Sequence, residues 1–487
     1  MQLPASIPNW IQGREIPARS GETVEKLSPA DGQRLCTLAR SGAQDIDDAV
    51  ASARAAHPGW ASLPAPQRGN LLFAYAARMQ EARDDIAAIV AAETGKSLRE
   101  ARGETDGAIA LARFFAGEGQ RLYGRTLHSG TPGKHSQTIR QPLGVGGLIV
   151  AANTPVANVA WKIFPALICG NAAVLKMTED APATAWMLAR LSREAGLPDG
   201  VLNVVQGLGR EAGGALVEHP GVDVVSFTGS TAVGRWIAET CGRRLARVSL
   251  ELGGKNPLVV CDDADMDNAV RWSVLSAFSN AGQRCAAASR IIVFDAVYDE
   301  FKSRLLDATR ALSIGPTDGD DLGPVINARQ LENMSHAVAT AAREGASILI
   351  GGDRLTDPAH ANGFYMAPTV YEGAAPDAAI SRQELFGPIV GLYRAADFEE
   401  ALALANATEY GLTACIHTAS LHRATVFTQR VRSGVVMVNA GTYGSEPHFP
   451  FGGFGQSGNG TREPGVEALD VYSELKAVHV CVNPEKA

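Results

Sequence analysis

A chain of 487 residues is too long for one ordinary hydrophobic core and predicts two or three domains. Hydrophobic content of 46%, charged content of 20% and a formal net charge of −8 are ordinary for a soluble enzyme and argue against a nucleic-acid or anionic-membrane surface. No apolar run reaches the length of a membrane span, and MQLPASIPNW at the N-terminus lacks a basic-then-apolar signal, so a cytoplasmic location is expected.

Residues 1–42 hold short pieces broken by Pro and Gly, expected to form extended arms and a small sheet edge. From Asp45 the pattern turns helical, with acidic residues in the first turn of DIDDAVASARAAHPGW. Helical periodicity continues over Gln67–Glu93 and again over Ser97–Gly117, and these three helices are expected to cover one face of a sheet. Residues 122–141 are polar and turn-rich, too poor in apolar side chains to own a core.

From Gly144 to Leu250 the chain alternates. Strand-like runs at 145–151, 172–176, 202–205, 222–226 and 247–250 are separated by helical stretches at about 158–168, 181–195, 210–218 and 231–241. Repeated β-α-β of this kind implies a doubly wound parallel sheet covered on both faces. After Pro257 a second alternating series begins: strand 258–260, helix 265–279, strand 290–294, and helices 297–311 and 328–345. The fold class is therefore α/β with two doubly wound parallel-sheet domains. The expected division is 1–121 with 142–252 for a dinucleotide-binding domain and 253–447 for a second domain carrying Cys285. Residues 122–141 and 468–487 form a small β element, in which the strand-like tail Leu469–Val482 is expected to augment a sheet across a subunit interface.

The seven cysteines are scattered, odd in number and never in C-x-x-C pairs, and the ten histidines show no H-x-x-x-H, so neither a disulfide framework nor a metal site is expected. Cys285, in Asn280-Ala-Gly-Gln-Arg-Cys-Ala286, is flanked by small residues that let backbone and ligand approach the sulfur. Alone it reads equally well as one more small buried side chain. Glu251, in Ser249-Leu-Glu-Leu-Gly-Gly-Lys-Asn-Pro257, ends a strand-like run beside a Gly-Gly turn. A cysteine with a separate carboxylate suits a thiol nucleophile with a general base.

In that order and at that separation, LELGGKNP and GQRC resemble the two signatures of the NAD(P)-dependent aldehyde dehydrogenase superfamily, and the similarity extends from about residue 10 to the C-terminal strand. The resemblance implies that Cys285 attacks an aldehyde carbonyl, that Asn153 and the Cys285 backbone N–H stabilise the oxyanion, and that Glu251 activates the water that releases a free acid. Relatives that pass the acyl group to coenzyme A usually lack this glutamate. It further implies a homodimer or homotetramer in which the hairpin of residues 122–141 meets another subunit.

No G-x-G-x-x-G follows the first strand of the alternating region, so the usual dinucleotide fingerprint is absent. The family's variant is matched by Phe227-Thr-Gly-Ser230, where Gly229 and Ser230 would offer backbone and hydroxyl donors to a pyrophosphate at a helix N-terminus. Ser230 is also an expected N-cap whatever the function. By the same resemblance Val233 and the turn Gly207-Leu-Gly209 border the adenine. Lys176-Met-Thr-Glu179 resembles the family's K-P-x-E, with Met177 in place of proline; Lys176 and Glu179 would hold the adenosine ribose. A carboxylate at Glu179 repels a 2′-phosphate, which favours NAD over NADP. Glu384-Leu-Phe-Gly-Pro388 matches E-x-F-G-P, so Glu384 would hold the nicotinamide ribose and Phe386 would pack near the ring. Asn439 and Pro450–Phe454 match the loop that closes the substrate side.

Departures from the pattern bear on the substrate. Ala152 and Thr154 stand where aromatics commonly flank the oxyanion asparagine, Arg284 adjoins the nucleophile, SGNGTREPG is one residue longer than usual, and Gly455 stands where many members have lysine. ANTPVANVAWK, the AGTYGSEPH loop and the inserted residue in SGNGTREPG are most similar to the α-ketoglutaric semialdehyde dehydrogenases, which implies a semialdehyde or other polar aldehyde. A broad specificity for neutral aldehydes is the alternative, with coenzyme A acylation behind it.

Overall fold

The computed structural model describes residues 3–483. Two seven-stranded sheets dominate it. The first runs Arg247–Glu251, Val224–Thr228, Val145–Ile149, Ala172–Lys176, Leu202–Val205, all parallel. The N-terminal arm extends it with the antiparallel strands Asn9–Ile11 and Arg14–Ile16, the sheet edge expected from residues 1–42. The earliest of the five parallel strands lies at the centre and the chain reverses direction after the third. The crevice between Val145–Ile149 and Val224–Thr228 is therefore the topological switch point, where open α/β sheets bind ligands.

Alternate residues of the central strands explain the two-sided cover. Ala172 and Val174 pack on one face against α1 (Ala43–Ser62), whose stripe is Ile46, Ala49, Val50 and Ala53. Ala173 and Leu175 point to the opposite face, against α2 (Ala65–Glu81), α3 (Arg83–Thr94), α4 (Leu98–Glu118), α5 (Pro155–Ile168) and α6 (Pro182–Glu194). Two expectations are corrected here. Four helices precede the first domain strand, because Gln67–Glu93 breaks at Ala82, which ends α2 and begins α3 with Asp84 and Asp85 in its first turn. They also cover both faces, α1 lying opposite α2–α4. On the face of α1, α7 (Gly214–Glu218) and α8 (Thr231–Arg243) complete the layer.

The second sheet runs Ser347–Ile350, Thr369–Glu372, Ile389–Ala395, Ala288–Phe294, Asn256–Val260, Thr413–His417, Val435–Val438. It is parallel apart from its first strand. Helix α9 (Met266–Phe278) packs against it through Ala269, Ala277 and Phe278. Glu251 ends an edge strand of the first sheet and Asn256 begins a strand of the second, so C-terminal strand ends of one sheet lead directly into N-terminal ends of the other.

The tail augments a sheet within its own chain. Ser473–Cys481 pairs antiparallel with Lys134–Pro142 of its own chain, register running from Ser473↔Pro142 to Cys481↔Lys134, and Thr126–His128 completes a three-stranded sheet. The other edge of Ser473–Cys481 has no strand beside it among the described residues. Residues 484–487 of the expected tail element lie outside those described. No described helix is long and apolar enough to cross a membrane.

Candidate active site

A cleft of about 1800 Å³ opens where the two sheets meet, and eleven of the site residues expected from the sequence line it: Asn153, Lys176, Glu179, Gly209, Gly229, Ser230, Val233, Glu251, Cys285, Glu384 and Phe386. Those from the first domain follow strands; Cys285, Glu384 and Phe386 all precede strands of the second.

Cys285 is carried by a tight loop between α9 and Ala288–Phe294. Asn280 (φ 54°), Ala281 (φ 51°) and Gly282 (φ 68°) are all left-handed. The first two each cost roughly 1–2 kcal/mol. Gly282 is needed twice over, since a Cβ there would run into the Gly387 carbonyl. Hydrogen bonds hold the loop in place. The Asn280 N–H donates to Glu100 Oε1 at 3.0 Å and its Nδ2 to Asn153 O at 3.1 Å. Gln283 Nε2 donates to Asn280 O at 3.3 Å, while its Oε1 accepts from the Ile326 N–H at 2.9 Å. Asn256 Nδ2 donates to Cys285 O at 2.7 Å and Ala287 O at 2.9 Å. Ala286, Leu412 and Phe451, with Trp161 and Tyr443, form a small apolar cluster around Cys285. Burial pushes the thiol up to about 12, with the carboxylates of Glu384 and then Glu251 adding to the shift and the Ala286 N–H and Arg284 opposing it. At neutral pH the sulfur therefore rests as a thiol.

Glu251 ends its strand with its carbonyl accepting from the Gly229 N–H at 3.1 Å. Both carboxyl oxygens are buried with no hydrogen-bond partner among the described residues. Burial, and then Glu463, hold this carboxyl well above the usual range, against Lys162 and Arg462. An unsatisfied buried carboxyl beside a thiol costs stability, and such groups cluster where they do chemistry. Asn153 Oδ1 accepts from Asn158 Nδ2 at 3.0 Å, which assigns the amide orientation and leaves the Asn153 Nδ2 group as the donor.

Glu384 Oε1 accepts from the Gly254 N–H at 3.0 Å, and a Cβ on Gly253 would collide with its Oε2. Burial raises its carboxyl to about 7, opposed by the Gly254 N–H and Lys255. Phe386 is held at φ 54°. On the other wall Lys176 Nζ lies 3.2 Å from Glu179 Oε2, and burial lowers the lysine while Glu179 opposes the shift.

Several expectations change. The Gly229 N–H is committed to Glu251 and is not free for a ligand, because Gly229 continues the ladder beside the adjacent strand. Ser230 occupies the N-cap position of α8, yet its side chain makes no capping bond and is exposed. Its hydroxyl and the first-turn N–H groups of α8 are the donors offered to the cleft. Of Gly207-Leu-Gly209 only Leu208 and Gly209 line the cleft, Gly207 packing against Ser41. Asn439 is tied to Thr418 through its Oδ1 and Nδ2 and does not line the cleft. The longer loop runs along the edge strand, where Asn459 Oδ1 accepts from the Leu250 N–H at 3.0 Å and Nδ2 donates to Val248 O at 2.9 Å. This course buries Glu463 against Lys162 at 2.8 Å.

Arg284 turns away from the sulfur. Its Nη2 lies 3.4 Å from Glu100 Oε1, its Nε 3.3 Å from Ser279 Oγ, and its guanidinium 4.9 Å above the Tyr443 ring. Sequence reasoning missed Lys96, Glu100, Glu104, Asn280 and the wall of Trp161, Leu412 and Phe451. Glu100 and Glu104 were legible as one face of a helix beginning at Ser97, and such a charged face ordinarily reads as solvated.

Residues 16–478 match the model described as the aldehyde dehydrogenase family. The α-ketoglutaric semialdehyde dehydrogenase of Bacillus subtilis is 38% identical over 475 residues, 97% of each chain. The crystal structure of betaine aldehyde dehydrogenase from Staphylococcus aureus in complex with NAD+ matches with a TM-score of 0.96 at 31% identity, covering 99% of this chain and 96% of that one. An NADP-dependent enzyme of E. coli matches with a TM-score of 0.94 at 36% identity, covering 98% of each.

Proposed function

Because the chain belongs to the aldehyde dehydrogenase family, we propose that it oxidises a semialdehyde or other polar aldehyde to the free acid with NAD, through an acyl thioester on Cys285. The observation that carries this reading is the unpartnered, buried carboxyl of Glu251 in the cleft that also holds the thiol. Transfer of the thiol proton to solvent in the open cleft frees Cys285 Sγ to attack the carbonyl carbon. Asn153 Nδ2 and the Cys285 N–H take the oxyanion, each such donor contributing about 2–4 kcal/mol in related hydrolytic sites. The nicotinamide, when bound, supplies the hydride acceptor. Glu251, its proton affinity raised by burial, then takes a proton from water as the water attacks the thioester. This hydrolytic role favours a free acid over transfer to coenzyme A.

The cleft fits a dinucleotide. The unengaged Ser230 hydroxyl at the start of α8 suits a pyrophosphate, Leu208, Gly209 and Val233 offer a surface for the adenine, and the Lys176–Glu179 pair suits ribose hydroxyls. Glu384 and Phe386 would serve the nicotinamide end. Glu179 supports NAD over NADP.

The semialdehyde reading draws on the relative's name and on Arg284, whose Nη1 has no partner among the described residues. A second reading, broad action on neutral aldehydes, draws on the same arginine's pairing with Glu100 and on the apolar wall around Cys285. A homodimer or homotetramer would use the open edge of Ser473–Cys481, where Leu475 and Val480 are exposed.

Glu251→Gln tests the mechanism. One rapid burst of NADH per site is expected, followed by a stall, with the acyl adduct found by intact mass on the Cys285 peptide; Cys285→Ala gives neither. Steady turnover in Glu251→Gln would remove the glutamate from the mechanism. Comparing α-ketoglutaric semialdehyde with pentanal separates the substrate readings: a carboxylate preference of roughly ten- to a hundredfold in kcat/KM is expected, and equal turnover sinks it.

A further inference from the structure

We propose that Glu100 is a positioning residue that, through Asn280, holds the nucleophile loop of the second domain in register with Asn153 of the first. The two halves of the oxyanion site come from different sheets, so something must fix their separation. Helix α4 touches both. Ser97 caps it, accepting from the Glu100 N–H at 3.2 Å, and Glu100 and Glu104 lie one turn apart on one face.

Glu104 secures the Asn153 side. Its Oε1 accepts from the N–H groups of Val156 at 2.9 Å and Ala157 at 3.3 Å, capping the start of α5. Its Oε2 pairs with Lys96 Nζ at 2.7 Å, with exposures of only 6% and 3%. The same Nζ donates to Asn153 O at 2.7 Å. Glu100 secures the other side. Its Oε1 accepts from the Asn280 N–H at 3.0 Å and meets Arg284 Nη2 at 3.4 Å, so one oxygen grips both ends of the loop that delivers Cys285. Asn280 Nδ2 closes the circuit on Asn153 O at 3.1 Å. Asn153 O thus receives one donor from each domain.

Asn280 is the residue through which Glu100 acts. It opens the left-handed run, and its φ of 54° sets the direction in which the loop leaves α9. Without an acceptor for its N–H, a buried donor is left unsatisfied and the strained conformation loses a restraint. The Cys285 N–H would then drift from Asn153 Nδ2, and a displacement of about 1 Å at a reacting centre can lower a rate roughly a hundredfold.

The proposal rests on the oxyanion roles given above to Asn153 and Cys285, so the test uses two readouts, of which one needs no turnover. Glu100→Gln keeps an acceptor for the Asn280 N–H, whereas Glu100→Ala removes it. In the first arm, Cys285 alkylation by iodoacetamide is followed against pH without cofactor. Glu100→Ala is expected to react at least about threefold faster than wild type as the loop loosens, with Glu100→Gln close to wild type. In the second arm, the single-turnover NADH burst at saturating NAD falls roughly ten- to a hundredfold in Glu100→Ala, is largely restored in Glu100→Gln, and shows no matching rise in the Kd for NAD. Asn280→Gly keeps the backbone N–H to Glu100 and cuts the Nδ2 bond to Asn153 O; combined with Glu100→Ala it should lose little beyond the larger single effect, since the two bonds are successive links of one Glu100–Asn280–Asn153 chain. Unchanged alkylation in Glu100→Ala overturns the positioning role even if the functional reading stands. Equal losses in the Gln and Ala variants, tracking a common fall in Tm, also overturn it. A wild-type enzyme with no burst on any aldehyde sinks the functional reading, and the alkylation arm still decides the role of Glu100.

Discussion

The two walls of the cleft are built by opposite ends of their sheets. Asn153, Lys176, Ser230 and Glu251 leave the C-terminal ends of first-domain strands, while Cys285, Glu384 and Phe386 precede the N-terminal ends of second-domain strands. On the first wall the ladder itself aims the side chains, and a helix N-terminus follows to receive charge. Loops must do that work on the second. Phe386 on that wall, and Asn280 and Ala281 in the loop that brings Cys285 to it, are left-handed non-glycine residues. Strain and cross-domain hydrogen bonds therefore gather on the wall that carries Cys285, and among the described residues no left-handed non-glycine residue lines the first wall.

A pair of glycine substitutions probes this difference most strongly. Gly282→Ala places a Cβ against the Gly387 carbonyl at φ 68°. It is expected to cost about 1–3 kcal/mol of stability, together with roughly a hundredfold in kcat from the displaced nucleophile. Gly209→Ala meets nothing within 4 Å on the cofactor wall and should change Tm little. Chemical denaturation and steady-state kinetics on both variants check the contrast; equal tolerance would break it.

Cofactor preference is the next effect in size. Glu179→Ser removes the carboxylate that opposes a 2′-phosphate, and the NAD/NADP ratio of kcat/KM should narrow by about tenfold. The NADH burst rate with NAD saturating should not change. A burst that falls along with the ratio would show that the two walls are coupled.

The smallest effect concerns the thiol. With Cys285 raised to about 12, its alkylation should climb about tenfold per pH unit from pH 8 to 10, without levelling where a free thiol of pKa near 8.5 does. Glu384, at about 7, is ionised over that range, and its negative charge disfavours the thiolate. Glu384→Gln removes that charge, so the thiol pKa falls and the whole profile should rise by about threefold, without a change of slope. An unshifted profile would leave burial alone as the cause.

The same division governs what was legible. The five parallel strands of the first sheet and the residues at their ends could be read from alternation and from the rule for open sheets. Cys285 stood out locally only as an even choice between nucleophile and buried apolar side chain, and the roles of Glu384, Asn153, Lys176, Glu179 and Ser230 all needed the family resemblance, because strand ends mark where ligands bind but not which residues hold them. Even on the legible wall, the use of a donor was not readable. Gly229 looks free for a ligand until the neighbouring strand places the Glu251 carbonyl against its N–H.

Periodicity in the chain sets which stretches become strands and helices, since each element's hydrogen bonds and apolar stripe are local properties. Which face α1 covers, that the tail pairs with its own hairpin, and that Glu100 and Glu104 meet the active-site loops were decided only in three dimensions. Those contacts join residues as far apart as Glu100 and Asn280. Nothing in the sequence near Glu100 distinguishes a carboxylate bound for water from one that another domain will cover, because burial is a property of the assembled neighbours.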